Sequence, residues 1–336
     1  MIISRTPFRI SFFGGGTDYP VWYKKNGGVV LSTTINKYCY IVLRYFPPFF
    51  SNKHRIVWSQ IELVNNVNKI QHPVVKVVLK FLKINKGIEI HHIGDLPAKT
   101  GLGSSSAFTV GLLNSLYALN GSIFSKERLA KEAIHIERDI LKENVGSQDQ
   151  MAVAYGGFNK IYFNGNDEFK VEPIIVTRDR ISQLENHLML YFTGFSRIAS
   201  EVAKDQIKNT PQKSKELTLM YQMVDEAIDI LKGKRSILEF GKLLNESWQI
   251  KKTLSDKISN SEIDNIYEKA LRAGAVGGKL LGAGGGGFMI FFVAPENQPK
   301  VRKALKGLLE VPFNFEKDGS QIIYYNPALV PESSKS

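Results

Sequence analysis

Through the first 95 residues, apolar positions fall in short runs rich in β-branched and aromatic side chains: RISFF, GGVVLSTTI, YCYIVLRYF and RIVWS. Gly, Pro or Asn bounds these runs, and they predict strands, because such side chains pack well on a pleated, half-buried surface. Residues 72–85 change to helical spacing, and 87–94 return to strand. A helix is predicted over 105–119, with Gly121 as a stop, and a second over 125–141 with Ser125 as N-cap. After a loop at 142–150, GGFNKIYFN is again strand-like.

The second half begins near residue 180 with a buried-type strand at 188–194, followed by long helical patterns to about 255. A helix over 261–275 opens at Ser261; the run GGKLLGAGGGGFMIFFVA, a helix near 297–310 and a last strand at 320–326 complete the chain. Strands and helices alternate irregularly, which predicts an α+β protein rather than a doubly wound sheet.

Composition narrows the function classes. The 336 residues suit two domains, and the longest apolar stretch, 288–294, is too short to span a membrane. The N-terminal segment carries arginines within its apolar pattern and no small-residue cleavage site, so it does not read as a signal peptide. A single cysteine, Cys39, excludes an internal disulfide and suggests a cytoplasmic protein. The net charge of +12 favours an anionic partner. Because the basic residues are scattered, a phosphorylated small molecule is expected rather than nucleic acid.

Four stretches carry candidate chemistry. In LPAKTGLGSSSAF (96–108) a glycine turn enters a helix, directing backbone N–H groups to one point at the positive end of the helix dipole. Gly101, Leu102, Gly103, Ser104, Ser105 and Ser106 are therefore candidates for cradling a polyphosphate; no Lys-Ser/Thr pair follows, so this is not a Walker A loop. In PFRISFFGGGTDYP (7–20), Arg9 precedes three glycines, then Thr17 and Asp18, an arrangement suited to an anion and to sugar hydroxyls. Glu137 and Asp149 form a carboxylate pair: one could join a serine on Mg²⁺, the other could orient or deprotonate an acceptor hydroxyl.

The fourth stretch, GGKLLGAGGGGF (277–288), satisfies G-x-G-x-x-G at Gly282, Gly284 and Gly287. A dinucleotide fingerprint must open a helix, whereas this one leads into a strand-like run, which speaks against a nucleotide-cofactor oxidoreductase. A weaker fifth candidate, YFTGFSRIAS (191–200), offers Arg197 as a phosphate clamp.

Taken together and in this order, these motifs resemble those of the GHMP kinases, and the resemblance spans residues 7 to 288. It implies a ribosomal S5 domain-2-like N-terminal domain over 1–175 and a ferredoxin-like C-terminal domain over 176–330. ATP would be the co-substrate, held at 101–106, with Mg²⁺ on Ser105 and Glu137. Asp149 and Arg9 would be the catalytic pair, and Gly16, Thr17, Asp18, Arg197, Gly284 and Gly285 would meet the acceptor. Galactokinases carry Glu-His where this chain has Gly15 and Gly16, leaving room for a larger acceptor. RISFFGGGTDYP, GSQDQ and TGFSR look like the heptose 7-phosphate kinases of that superfamily. This implies a small-molecule sugar phosphate acceptor, an anomeric hydroxyl and a 1,7-bisphosphate product destined for GDP-heptose and surface polysaccharides. A kinase of an unphosphorylated sugar is the alternative. The implied protein works as a monomer or homodimer, with neither nucleic acid nor membrane as partner.

Overall fold

The computed structural model describes residues 1–195, 199–233 and 235–327. Its first sheet is built on two long antiparallel strands, β1 (Ile2–Phe13) and β2 (Gly28–Tyr45), joined through helix α1 (Pro20–Asn26). The two strand runs predicted within 27–46 are one continuous strand. A meander of β3 (His54–Val57) and β4 (Ile61–Val64), helix α2 (Pro73–Phe81) and β5 (Ile88–Gly94) follows. β5 pairs with β2 antiparallel and with β3 in parallel.

Helix α3 (Ser104–Leu119) then packs on β1 and β2. It is buried on nearly all sides, which is why its sequence shows no amphipathic stripe. α4 (Lys126–Ile134), capped by the Ser125 hydroxyl as predicted, runs into a π-helical turn over His135–Ile140. α5 (Gln148–Tyr155) leads into β6 (Phe158–Phe163), paired with β2, and β7 (Phe169–Pro173). The expected loop at 142–150 is thus shorter, and Asp149 stands in the first turn of a helix.

After α6 (Arg178–Asn186), the chain builds a four-stranded antiparallel sheet in the order β11-β8-β10-β9. Its strands are β8 (Leu188–Phe192), β9 (Ala275–Leu280), β10 (Phe288–Val293) and the short β11 (Leu309–Glu310). Between β8 and β9 lie α7 (Ala199–Asn209), α8 (Ser214–Lys232), α9 (Leu238–Lys252) and α10 (Ser261–Arg272). The N-cap of α10 is Asn260, whose side chain accepts from the Ile263 N–H; Ser261 is the first helical residue. The predicted helix at 297–310 is confined to α11 (Gln298–Ala304).

The chain then returns to the first sheet. β12 (Phe315–Glu316) pairs with β2, and β13 (Gln321–Tyr325) pairs with β1. The two halves meet across an aromatic cluster in which Phe240 of α9 packs edge-on against Phe12 and Phe13 of β1, with ring centroids 5.4 and 5.2 Å apart. This seam fixes α9 and β9 beside the end of β1, where the candidate residues gather.

Candidate active site

The 101–106 loop, expected to cradle phosphates, the Arg9 strand, the 142–149 segment and the second glycine loop all line one pocket of about 430 Å³. Its floor is an ion pair. Arg9 donates from Nε to Asp149 Oδ1 and from Nη2 to Oδ2, both at 2.8 Å, and from Nη1 to the Gly101 carbonyl at 2.7 Å. Arg9 is buried, so a planar, always-charged guanidinium is held by its fork geometry between a carboxylate and the cradle loop. Its own N–H also donates to the Leu102 carbonyl.

The two glycine loops are pressed together behind that pair. A side chain on Gly101 would stand 2.3 Å from the Leu281 carbonyl oxygen, and one on Gly282 would stand 2.4 Å from the Gly101 Cα. Both have positive φ, so glycine is required twice over. The strand β10 follows Gly287 directly, which excludes the dinucleotide-binding helix that the G-x-G-x-x-G spelling would need.

Several expected residues are repositioned. Gly101, Gly103, Ser104, Ser105 and Ser106 line the pocket, whereas Leu102 is buried beneath it. Glu137 is fully buried and accepts from Ser106 Oγ (2.9 Å), Thr109 Oγ1 (2.5 Å) and Gln150 Nε2 (2.6 Å). The hydroxyl beside Glu137 is therefore that of Ser106, not Ser105. Neighbouring helical side chains point about 100° apart, and Ser105 faces outward. Burial pushes the Glu137 carboxyl up to about 7, against the opposing pull of those bonds.

Asp18 is buried at the other end and accepts from the Gly16 N–H at 2.9 Å. Burial raises its carboxyl above the ordinary range, and the Asp149 charge adds to the rise. Gly146 approaches so closely that a side chain there would fall 1.8 Å from Asp18 Oδ2. Thr17 does not reach the pocket: its hydroxyl lies 2.8 Å from the Gly14 carbonyl and 2.9 Å from that of Val29, fixing the turn. Gly284 and Gly285 are also turned away, packed on Ile258, while Gly282 and Ala283 line the pocket instead. Arg197 lies outside the described residues.

Two residues escaped the sequence reading. Lys251, at the end of α9, and Lys279, on β9, are nearly fully buried and line the pocket. Lys251 Nζ donates to the carbonyls of Gly282 and Leu280, and Lys279 Nζ to that of Phe12 at 2.7 Å. Neither forms an ion pair among the described residues. Burial lowers Lys251 to about 8, with Arg9 lowering it further and Asp18 and Asp149 opposing. Lys279 falls well below the ordinary lysine range through burial, then through repulsion by Lys251 and Arg9. Lys279 sits inside the glycine stretch, but only the tertiary fold brings it to Arg9.

Comparison with known proteins agrees with this geometry. The GHMP kinases N terminal domain family matches residues 68–157, and the GHMP kinases C terminal family matches 214–310. The D-glycero-alpha-D-manno-heptose 7-phosphate kinase of Campylobacter jejuni is 33% identical over 95% of this chain and 97% of its own. A crystal structure of a D-glycero-D-manno-heptose 1-phosphate kinase from Bacteroides thetaiotaomicron superposes with a TM-score of 0.77 at 26% identity, covering 95% of this chain and 98% of that one. The galactokinase of Lactococcus lactis, at 20% identity, shares the fold with a TM-score of 0.72 over 95% of this chain and 94% of its own. Matched along both halves and carrying the 101–106 loop, the Arg9–Asp149 pair and the glycine loop in one pocket, the chain belongs to the GHMP kinases, phosphotransferases that use ATP as co-substrate.

Proposed function

We propose that this protein is a sugar kinase that transfers the γ-phosphoryl group of ATP to the anomeric hydroxyl of D-glycero-D-manno-heptose 7-phosphate, giving the 1,7-bisphosphate. The observation that carries the reading is the Arg9–Asp149 pair on the pocket floor, one guanidinium bond from the cradle loop. The choice of heptose rests on the likeness to the Campylobacter jejuni kinase. The anomeric phosphate would serve GDP-heptose and surface-polysaccharide synthesis in the cytoplasm.

The chemistry follows from the arrangement. N–H groups at the start of α3 and the hydroxyls of Ser104 and Ser105 bind the phosphates of ATP. Asp18 holds sugar hydroxyls, and Asp149 accepts a hydrogen bond from the attacking one. As the new oxygen–phosphorus bond forms and the bond to the ADP oxygen breaks, Asp149 receives the proton. Arg9 offsets charge on the phosphoryl oxygens, the main protein contribution in a loose transfer state.

A Mg²⁺ ion fits the oxygen set at Glu137. That carboxylate is buried, accepts from three neutral donors and forms no ion pair among the described residues, and the Ser106 hydroxyl lies beside it. Among the described residues no cluster of three or more acidic, His or Cys side chains could hold a metal alone. Such sparse protein ligation is usual where the nucleotide supplies further oxygens. Ser106 and Glu137 would hold the ion, and Ser105 is left to the phosphates; when bound, Mg²⁺ neutralises phosphate charge.

The test is the product formed from Mg-ATP with heptose 7-phosphate, free heptose, fucose, N-acetylhexosamine and galactose, its position and anomer fixed by NMR. A 1,7-bisphosphate is expected. Turnover of free sugars alone would move the assignment to the unphosphorylated-sugar alternative.

A further inference from the structure

The pocket wall made by the C-terminal half carries more positive charge than the wall opposite requires. Arg9 is matched by Asp149 through two bonds. Among the described residues, Lys251 and Lys279 are hydrogen-bonded only to backbone carbonyls, although each is at least 95% buried. A buried ammonium without a countercharge is costly, so such a pair persists where an anion completes it.

A nearby hydroxyl is without a partner as well, among the described residues. Ser11 Oγ is buried, has no hydrogen-bond partner and lines the same pocket. It stands on β1 next to Phe12, whose carbonyl holds Lys279. A side chain added to Gly15 would stand 3.9 Å from both Ser11 Oγ and Gln148 Nε2, in ordinary contact with them. The cradle loop, with its own amides and serines, lies across the Arg9–Asp149 pair. Lys37 and Lys160 do not line the pocket, and Lys160 pairs with Asp225.

We propose that Lys251 and Lys279, with the Ser11 hydroxyl, form a second oxyanion subsite that takes a phosphate carried by the acceptor itself. This rests on the sugar 7-phosphate reading above and assigns that phosphate a place separate from the nucleotide's. Asp18 and Asp149 face the same space and keep Lys251 from being wholly uncompensated, but they serve the sugar hydroxyls rather than the anion.

The experiment measures kcat/KM for heptose 7-phosphate and for free heptose in wild type, Lys251→Met and Lys279→Met. Loss of one buried charge-assisted contact should lower the preference for the phosphorylated acceptor about 30-fold in each variant. Residual turnover of free heptose reports that the variant is folded, and Lys251→Arg should keep part of the preference. A fall that is equal for both acceptors overturns the proposal, because the lysines would then act on the group leaving ATP or only on the fold. If the wild-type enzyme turns over free sugars and never the 7-phosphate, the functional reading fails separately. The subsite is then judged by inorganic phosphate as an inhibitor competitive with that sugar. Inhibition weakened about 30-fold in Lys251→Met supports it, and unchanged inhibition sinks it.

Discussion

Around the wall of the pocket contributed by residues 9–149, the charged side chains have hydrogen-bond donors or an ion-pair partner within the protein. Arg9 and Asp149 pair with each other, the fully buried Glu137 accepts three side-chain bonds, and Asp18 takes the Gly16 amide. On the wall contributed by α9 and β9, Lys251 and Lys279 find only carbonyl oxygens as hydrogen-bond partners among the described residues. The first wall has its partners in place before substrate arrives, which is what positioning of a reacting hydroxyl needs. The second is left incomplete, which suits recognition: its energy is released only by a ligand that brings negative charge.

The contrast is broken most severely by removing the carboxylate that faces both walls. Asp149→Asn keeps the shape but leaves the attacking hydroxyl without its proton acceptor, and frees the Arg9 fork. A fall in kcat of about a thousandfold is expected, with the ATP dissociation constant changed only slightly. Single-turnover kinetics would check it; a loss below tenfold would take Asp149 out of the chemistry. Next comes Arg9→Lys, which keeps the charge but loses the two-point grip and the bond to Gly101. A point ammonium cannot reproduce the fork, so kcat should fall about a hundredfold. Rescue to near wild type would show that charge alone suffices.

A third change attacks the seam between the walls. Gly282→Ala would put a methyl carbon 2.4 Å from the Gly101 Cα at a residue whose φ is +74°. Both effects push the cradle loop away from the second glycine loop. Destabilisation of about 2–3 kcal/mol is expected, together with a raised KM for ATP. Thermal melting with and without nucleotide separates the two, and an unchanged melting temperature would deny the contact its role.

The two walls also differ in how much of them could be read from sequence. Arg9 and the loop 101–106 were legible because each sits in a short stretch whose spelling demands a particular backbone: strand into turn, or glycine turn into helix; Asp149 stood out only as half of a carboxylate pair, in a stretch read as loop where the structure has the first turn of α5. Which serine meets Glu137 was not legible, since it depends on the rotation of α3 against the π-helical turn that interrupts the predicted 125–141 helix. Thr17 looked like a ligand because it neighbours Asp18, yet its hydroxyl closes the turn. The lysine wall was invisible. Lys279 and Phe12 are 267 residues apart, and no local pattern distinguishes a lysine that ends an amphipathic helix from one folded into a pocket. The return of β12 and β13 to the first sheet, inside the stretch expected to be C-terminal, was hidden for the same reason.

The smallest effect, and the most direct view of the incomplete wall, is the pH dependence of stability at Lys251. Its ammonium has an ordinary value of 10.5 in the unfolded chain and about 8 in the fold, chiefly through burial. Between these limits the unfolded state binds more protons than the folded one, so this lysine makes stability rise as pH increases from 8 toward 10.5. Below 8 the folded protein carries the full penalty of the buried charge. Lys251→Met removes that penalty, and without ligand the variant should therefore be more stable than wild type at neutral pH. The advantage should be about 1–2 kcal/mol once water in the open pocket has screened part of the cost. It should shrink as pH climbs through the window, because wild type then sheds the proton instead. Differential melting of the two proteins from pH 7 to 10 checks this. A gap that stays constant across the range would mean that Lys251 keeps its charge, and that the wall is already compensated without an anion.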